Sequence, residues 1–167
     1  MRVKTLPDMA PPLADCTQHT LNYQDGTRRV VYCTEVEVPF PDGQLIVSRT
    51  DLAGVITHAN NAFVLMSGYE FDELIGAPHH ILRHPDMPRV AFAGLWETIG
   101  QGKKWHGYVK NLRKDGAFYW VYATVVPNIR DGKLVGYTSV RRKPSRSKIE
   151  SSAALYVKLM ADEGAAS

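Results

Sequence analysis

Three apolar runs joined by two Asp-Gly pairs constrain this chain more than any other feature. WHGYVKNLR, FYWVYATVVPNIR and LVGYTSVRRK follow one another between residues 105 and 143. Lys114-Asp115-Gly116 and Asp131-Gly132 separate them. Asp-Gly is a strong hairpin signal, because tight turns need positive φ and glycine adopts it without steric penalty. The pattern predicts three consecutive antiparallel strands, whose apolar face needs a second layer to cover it.

The preceding segment supplies that layer. QLIVSRTDL reads as a strand, Asp51 to Gly54 as a turn, and GVITHA as a second strand. Asn60 is a good helix N-cap ahead of AFVLMSG, and Gly68 closes that short helix. FDELIG is another short helix, stopped by Gly76. Pro78, Pro85 and Pro88 keep residues 77–88 broken into turns. In RVAFAGLWETIGQGK, residues 89–103, Phe92, Leu95, Trp96 and Ile99 recur at helical spacing and define an apolar face. Two strands, a run of short helices and three antiparallel strands make an α+β fold: a five-stranded sheet with helices on one face.

The flanks differ. Residues 1–20 are rich in proline and polar residues and read as irregular. Residues 21–38 carry Asp25-Gly26 between two partly alternating runs, a hairpin signal. Pro39 and Pro41 then set a boundary near residue 42. Residues 145–163 read as a helix opened by a capping box, Ser147 to Glu150. Its stripe of Ile149, Ala153, Tyr156 and Met160 fits packing on a partner helix or on the chain's own sheet. The expected division is a cap at 1–42, a central domain at 43–144 and a terminal helix at 145–167.

Composition narrows the class. With 167 residues, 44% of them apolar, the chain can bury a core without staples. A net charge of +3 is too small to argue for nucleic acid. No stretch approaches the ~20 apolar residues that span a bilayer, and the first sixteen residues hold no signal-peptide core. Cys16 and Cys33 fit no metal spacing and are expected as free thiols in a cytoplasmic protein.

One segment concentrates chemistry. Arg83-His84-Pro85-Asp86-Met87-Pro88 puts a cation, an imidazole and a carboxylate within four positions. It suits the wall of a ligand pocket or a self-contained turn with an Arg–Asp pair. His79, His80 and His84 also resemble a metal-ligand cluster, but two are adjacent and no cysteine is near, whereas a structural site wants four well-placed ligands. An axial histidine for haem is a further alternative. No Ser/His/Asp set or glycine-rich phosphate loop is present, so the chain does not read as an enzyme.

ITHANNAFVLMSGY, PHHILRHPDMPRVAFAGLW, WHGYVKNLRKDGAFYWVYATVVP and GKLVGYTSVR resemble the sensory PAS domain of bacterial aerotaxis receptors. RHPDMP followed by a helix carrying Trp96, then WHG and KNLRKDG, is the specific part of the resemblance. It runs from about residue 44 to 143 and continues into LYVKLMADEG. It implies a PAS fold that binds FAD noncovalently and signals redox state or oxygen and energy status. By position, Asn111 would hydrogen-bond the flavin ring and Trp96 would line the pocket. Asn60, His79, Arg83, His84, Asp86 and Phe92 match positions linked to FAD binding. Independently of the resemblance, an amide such as Asn111 offers both the donor and the acceptor that a flavin edge needs.

Light-sensing LOV domains share the flavin pocket but need a cysteine beside the ring, and HHILRHPDMP has none. Aerotaxis receptors continue into a membrane anchor and a signalling coiled coil, so the resemblance implies a fragment or a standalone sensor. Residues 1–42 exceed the family's short cap. Implied partners are a signalling output domain and a second copy through the PAS domain and terminal helices. The alternative is a PAS interaction module with another ligand or none.

Overall fold

The computed structural model describes residues 3–166. A hairpin opens it: β1 (Thr17–Asn22) and β2 (Arg28–Cys33) pair antiparallel and form a separate two-stranded sheet. The first strand begins inside the segment that composition marks as irregular. Cross-strand pairing from Thr17 to Cys33 extends the hairpin further back than its apolar pattern does.

The main sheet holds β3 (Ile46–Thr50), β4 (Ile56–Ala59), β5 (Trp105–Leu112), β6 (Phe118–Arg130) and β7 (Lys133–Arg142), in the order β4-β3-β7-β6-β5. Every pairing is antiparallel. The last hairpin turns through Asp131 at φ 52° and Gly132 at φ 76°, the two consecutive positive values that a two-residue turn of matching twist requires. At the other turn the Asp115 carboxylate accepts the Ala117 N–H at 3.0 Å.

Between β4 and β5 lie α1 (Asn61–Ser67), α2 (Phe71–Leu74), a 3₁₀ helix (His79–Leu82) and α3 (Arg89–Gly100). Asn60 caps α1 as expected, its Oδ1 accepting from Phe63 N at 3.0 Å, and Gly68 closes the helix at φ 75°. Helices and sheet meet in one core. Phe63, Leu74, Ile46, Ile56, Tyr119 and Val121 are fully enclosed there.

The inward face of the sheet carries Ile46 and Ser48 of β3, Tyr137 and Arg141 of β7, Tyr119, Val121 and Ala123 of β6, and Trp105 and Asn111 of β5. This follows from strand alternation and the cross-strand partners. The N-terminal segment docks at one end of this sheet. Thr34 N donates to Gly116 O at 2.8 Å, and Val38 N to Phe118 O at 2.8 Å. Met9, Val31, Cys33 and Leu112 form a small second core beside it.

The terminal helix, α4 (Arg146–Ala166), resolves the two readings of its stripe. It packs on the outer face of its own sheet. The Tyr156 hydroxyl donates to Tyr108 O at 2.6 Å, and its ring stacks on Trp120 with centroids 6.2 Å apart. Ile149 is buried, whereas Met160 remains exposed, so the stripe docks through its first three members. The helix starts earlier than the capping box suggests. Ser145 is the capping residue, its Oγ accepting from Lys148 N at 3.3 Å while its carbonyl accepts from Ile149 N at 3.0 Å. Ser147 already lies inside the helix.

Candidate functional site

The strands and the 3₁₀ helix bring an unusual polar set into the apolar interior. Arg141 is 3% exposed and lies on the inward face of β7. Its Nη2 donates to Ser48 Oγ at 2.9 Å and to His79 Nε2 at 2.7 Å, and the guanidinium sits 4.9 Å from the centroid of the Phe63 ring. None of these partners is a carboxylate, and its Nη1 is buried without a hydrogen bond. Burial lowers its pKa to about 10. A buried cation without a counter-anion is costly unless something else satisfies it.

Tyr119 stands close to this cation. Its hydroxyl is also buried without a well-formed hydrogen bond, and burial pushes its pKa up to about 12, opposed by Arg141, Arg113 and the neighbouring Asn111 amide. Asn111 is the cross-strand partner of Tyr119 on the same face and is 5% exposed. Guanidinium, phenol and amide therefore share one wall. Two of them offer unused hydrogen-bonding capacity toward an acceptor-rich ligand.

The RHPDMP segment borders this wall. Arg83 and Asn111 form an isolated antiparallel bridge between their backbones. The Arg83 guanidinium lies 5.0 Å from the Phe92 ring centroid, its Nε is buried and unpaired, and burial lowers its pKa. It does not pair with Asp86. That carboxylate accepts instead from Lys110 Nζ at 2.8 Å. Burial pushes the Asp86 pKa up, but the Lys110 bond and neighbouring positive charge outweigh it and hold the group below its ordinary value.

Asp86 also does not cap α3, whose N-cap is Pro88 with no side-chain bond. Glu163 of α4 takes that role and accepts from Val90 N at 2.9 Å. His84 is 3% exposed. Its Nδ1 accepts from Asp86 N at 3.0 Å and its Nε2 is unpaired. Burial, then the Lys110 charge, lowers its pKa to about 3, so it is a neutral ring rather than the cation of an ion pair.

The three imidazoles do not converge. His79 turns inward to Arg141, and His80 stacks on Tyr23 of the N-terminal hairpin with centroids 3.7 Å apart. His84 meets the edge of Phe118 at 6.1 Å. This geometry gives no shared ligand point. Asn60 is committed to backbone: Oδ1 accepts from Val47 N and Phe63 N, and Nδ2 donates to Leu45 O.

Trp96 lies far from Asn111. Its ring is edge-on to Tyr137 at 6.2 Å and so close to Gly54 that a Cβ there would approach to 2.9 Å. Asn111 pairs with Tyr119, and Tyr137 with Pro127, eight residues further along β6. At about 3.3 Å per strand residue they are roughly 26 Å apart along the sheet. Trp96 is also 36% exposed, and of the predicted apolar face of α3 only Ile99 is fully buried. A nearer aromatic wall is Trp105, which bridges the main core and the Ile99 cluster.

The sequence reading missed Arg141 and Tyr119. A usable signal lay in Arg141-Arg142: on a strand, consecutive side chains face opposite sides, so one arginine had to point inward. Cys33 packs with Leu112 in the second core rather than on the inward face, and burial raises its thiol pKa to about 12.

Comparison with known proteins agrees with this architecture. Residues 56–141 match the family model described as PAS fold. The chain is 47% identical over 130 residues to the aerotaxis receptor of Escherichia coli (strain K12), covering 78% of this chain and 26% of that one. It is 31% identical over 102 residues to the nitrogen fixation regulatory protein of Klebsiella pneumoniae, covering 60% and 21%. The chain thus spans about a quarter of the length of the curated relatives it matches. Among solved structures, the light state of the blue-light photoreceptor Aureochrome1 LOV superposes with a TM-score of 0.60 at 25% identity, covering 70% of this chain and 91% of that one.

Proposed function

The chain belongs to the PAS fold family, and on that premise we propose that it is a sensory domain that holds a flavin, FAD in particular, noncovalently and signals redox or oxygen and energy status to an output partner. The observation that carries this reading is Arg141: a buried guanidinium with a free Nη1 and no carboxylate, beside Asn111 and a Tyr119 hydroxyl without a well-formed hydrogen bond. Such a wall suits a ring edged with carbonyl oxygens and nitrogens. Similarity to the aerotaxis receptor supports the signalling role.

A bound flavin supplies reversible electron transfer. The protein's part is to position it and respond to it. Asn111 would meet the ring edge, since its amide donates and accepts. Arg141 would hold the electron-rich side, and Arg83 would meet phosphate oxygens. His79, His84, Phe92 and Asp86 would support these groups. Asn60 would fix α1, and Trp96 would close the far end of the domain. A change of ligand charge would then act on β5 through Asn111 and on β7 through Arg141, and so bias the protein between two arrangements. Helix α4, bonded to Tyr108 on β5, is placed to read the shift. Residues 1–42 act as the cap, 43–144 as the sensory domain and 145–167 as the output helix. No catalytic step is assigned. Among the described residues no helix is long and apolar enough to cross a membrane, and we take the domain as cytoplasmic.

A second reading, a PAS interaction module acting through dimerisation, is favoured by Leu155, Val157 and Met160, which are exposed on α4. The visible spectrum of purified protein separates the two. Oxidised-flavin bands that bleach with dithionite and return in air support the sensor. Colourless protein that does not take up FAD supports the module, and a Soret band would replace both readings with haem.

A further inference from the structure

The β6–β7 hairpin runs past the rest of its sheet. β6 loses its β5 neighbour beyond Val125, which pairs with Trp105, and β7 gains its β3 neighbour only at Tyr137, which pairs with Thr50. Between them, residues 126–136 form a ribbon whose strands pair with each other alone. From Val125 to Arg130 it extends roughly 16 Å, at about 3.3 Å per strand residue. Leu134 packs on the cluster of Ile99, Val125 and Tyr137 and fixes the ribbon to the body of the domain.

The tip is not an ordinary solvated turn. Ile129 is 64% exposed and Val135 47%. Arg130 and Lys133 are direct cross-strand partners, and like charges placed opposite each other destabilise a strand pair unless an anion relieves them. Lys103 and Lys104 stand beside the base of the ribbon, in the connection from α3 to Trp105. All four cations are exposed, and among the described residues none forms an ion pair. Against Asp131 in the turn they leave a local charge of +3, equal to the formal net charge of the whole chain. The neighbouring segments add two carboxylates: Glu97 on α3, and Asp51, which is engaged by the Ala53 and Val55 N–H groups.

Strand addition by another protein is disfavoured here, because Pro127, the register shift at Asn128–Ile129 and the charged tip blunt the ribbon's edges. A nucleic acid would meet the cations and leave Ile129 and Val135 in water. An anionic bilayer takes both: its headgroups meet the cations, and aliphatic side chains enter the headgroup–acyl boundary. Trp96 and Leu52, 36% and 52% exposed, lie at the same end of the domain, where Trp96 packs on Gly54 and Tyr137. A half-exposed indole suits the headgroup level.

We propose that the β6–β7 hairpin docks the domain peripherally on an anionic phospholipid surface, with Ile129 and Val135 entering the lipid boundary and Lys103, Lys104, Arg130 and Lys133 meeting the headgroups. This surface is separate from the polar wall around Arg141, and the proposal does not depend on the flavin reading. The full chain is sedimented with vesicles of phosphatidylcholine alone and of an equal mixture of phosphatidylcholine and phosphatidylglycerol. Partition onto the anionic vesicles should be at least about tenfold stronger and should weaken as salt is raised, since each cation near such a surface contributes about fivefold. The double variant Arg130→Glu, Lys133→Glu should lose at least about tenfold of that partition. Ile129→Asp should lose a similar factor, because it removes the inserted aliphatic side chain. Both variants should keep the parental circular dichroism, since the three side chains are exposed. Equal partition onto the two vesicle types, or none onto either, overturns the proposal. So does parental partition of Ile129→Asp, which would reduce the contact to diffuse charge attraction. Retention on polyglutamate that exceeds vesicle binding and ignores Ile129→Asp would assign the surface to an acidic protein instead. A dimer in solution that Ile129→Asp dissociates would make it an interface between copies of the chain and likewise overturn the membrane assignment.

Discussion

Arg141 donates a 2.7 Å hydrogen bond to His79 Nε2, joining the sheet to the 3₁₀ helix that covers it. The bond requires an unprotonated imidazole nitrogen, since a protonated ring would set two cations against each other in an apolar interior. Burial first, then the Arg141 and His80 charges, lowers the His79 pKa to about 3.

Acid sensitivity follows from this contact and its neighbours. His79 and His84 titrate near 3 and His80 near 4 when folded, against 6.5 for the free side chain. Below about pH 6.5 the unfolded chain takes up protons that the folded chain refuses, so stability falls as pH drops toward 3–4 and is level above 7. His79 and His84 each contribute a slope of about 1.4 kcal/mol per pH unit inside that window. Urea midpoints should therefore drop clearly between pH 7 and pH 5, and His84→Asn should make the drop shallower. A flat profile across that range would show that these rings are protonated in the folded state.

Arg141→Met separates ligand binding from folding. The guanidinium is buried without a carboxylate, so methionine relieves an uncompensated charge, which offsets the loss of its bonds to His79 and Ser48. The flavin-free variant should unfold within about 1 kcal/mol of the parent or later. Its flavin content after reconstitution should fall at least about tenfold, because the lost donor is charged. A variant that is strongly destabilised and still binds flavin normally would make Arg141 a structural residue.

Local chemistry made much of the fold legible, and long-range register hid much of the site. Asp131-Gly132 and Asn60 act within a few residues, so the last hairpin and the start of α1 could be read directly. Arg141 needs the pairing of β7 with β3 and β6 to decide that it, and not Arg142, faces inward. Arg83 and Asp86 are close in sequence and chemically suited to pair. Lys110 wins the carboxylate from a strand 24 residues away. Helical spacing placed Trp96 on an apolar face, but it does not say which part of the sheet that face meets. At the start of α4, Ser145 and Ser147 both suit a cap, and spacing alone favoured the wrong one.

Asn111→Ala tests the amide on the other side of the wall. Asn111 is buried on β5 and bridges to Arg83 through backbone alone, a link that alanine preserves. The domain should remain folded by circular dichroism while flavin affinity drops by about tenfold or more, the effect of losing a buried donor–acceptor pair. Parental flavin content with an unchanged reduction midpoint would remove Asn111 from the site.

Tyr156 holds α4 to the sheet, and its loss should release the helix without unfolding the domain. The hydroxyl bonds Tyr108 O at 2.6 Å, and the ring covers Trp120, which is 6% exposed beneath it. Tyr156→Phe removes only the hydrogen bond and should cost about 1 kcal/mol. Tyr156→Ala also removes the stacked ring, so Trp120 becomes hydrated and its emission shifts to the red. The Glu163 contact with Val90 at the far end of the helix is too exposed to hold it alone. Limited proteolysis should then cut within residues 146–166 well before it attacks the sheet. If Tyr156→Ala leaves both emission and cleavage unchanged, α4 is anchored by Ile149 and the Arg146–Glu37 pair instead, and the route from β5 to the helix through Tyr108 is excluded.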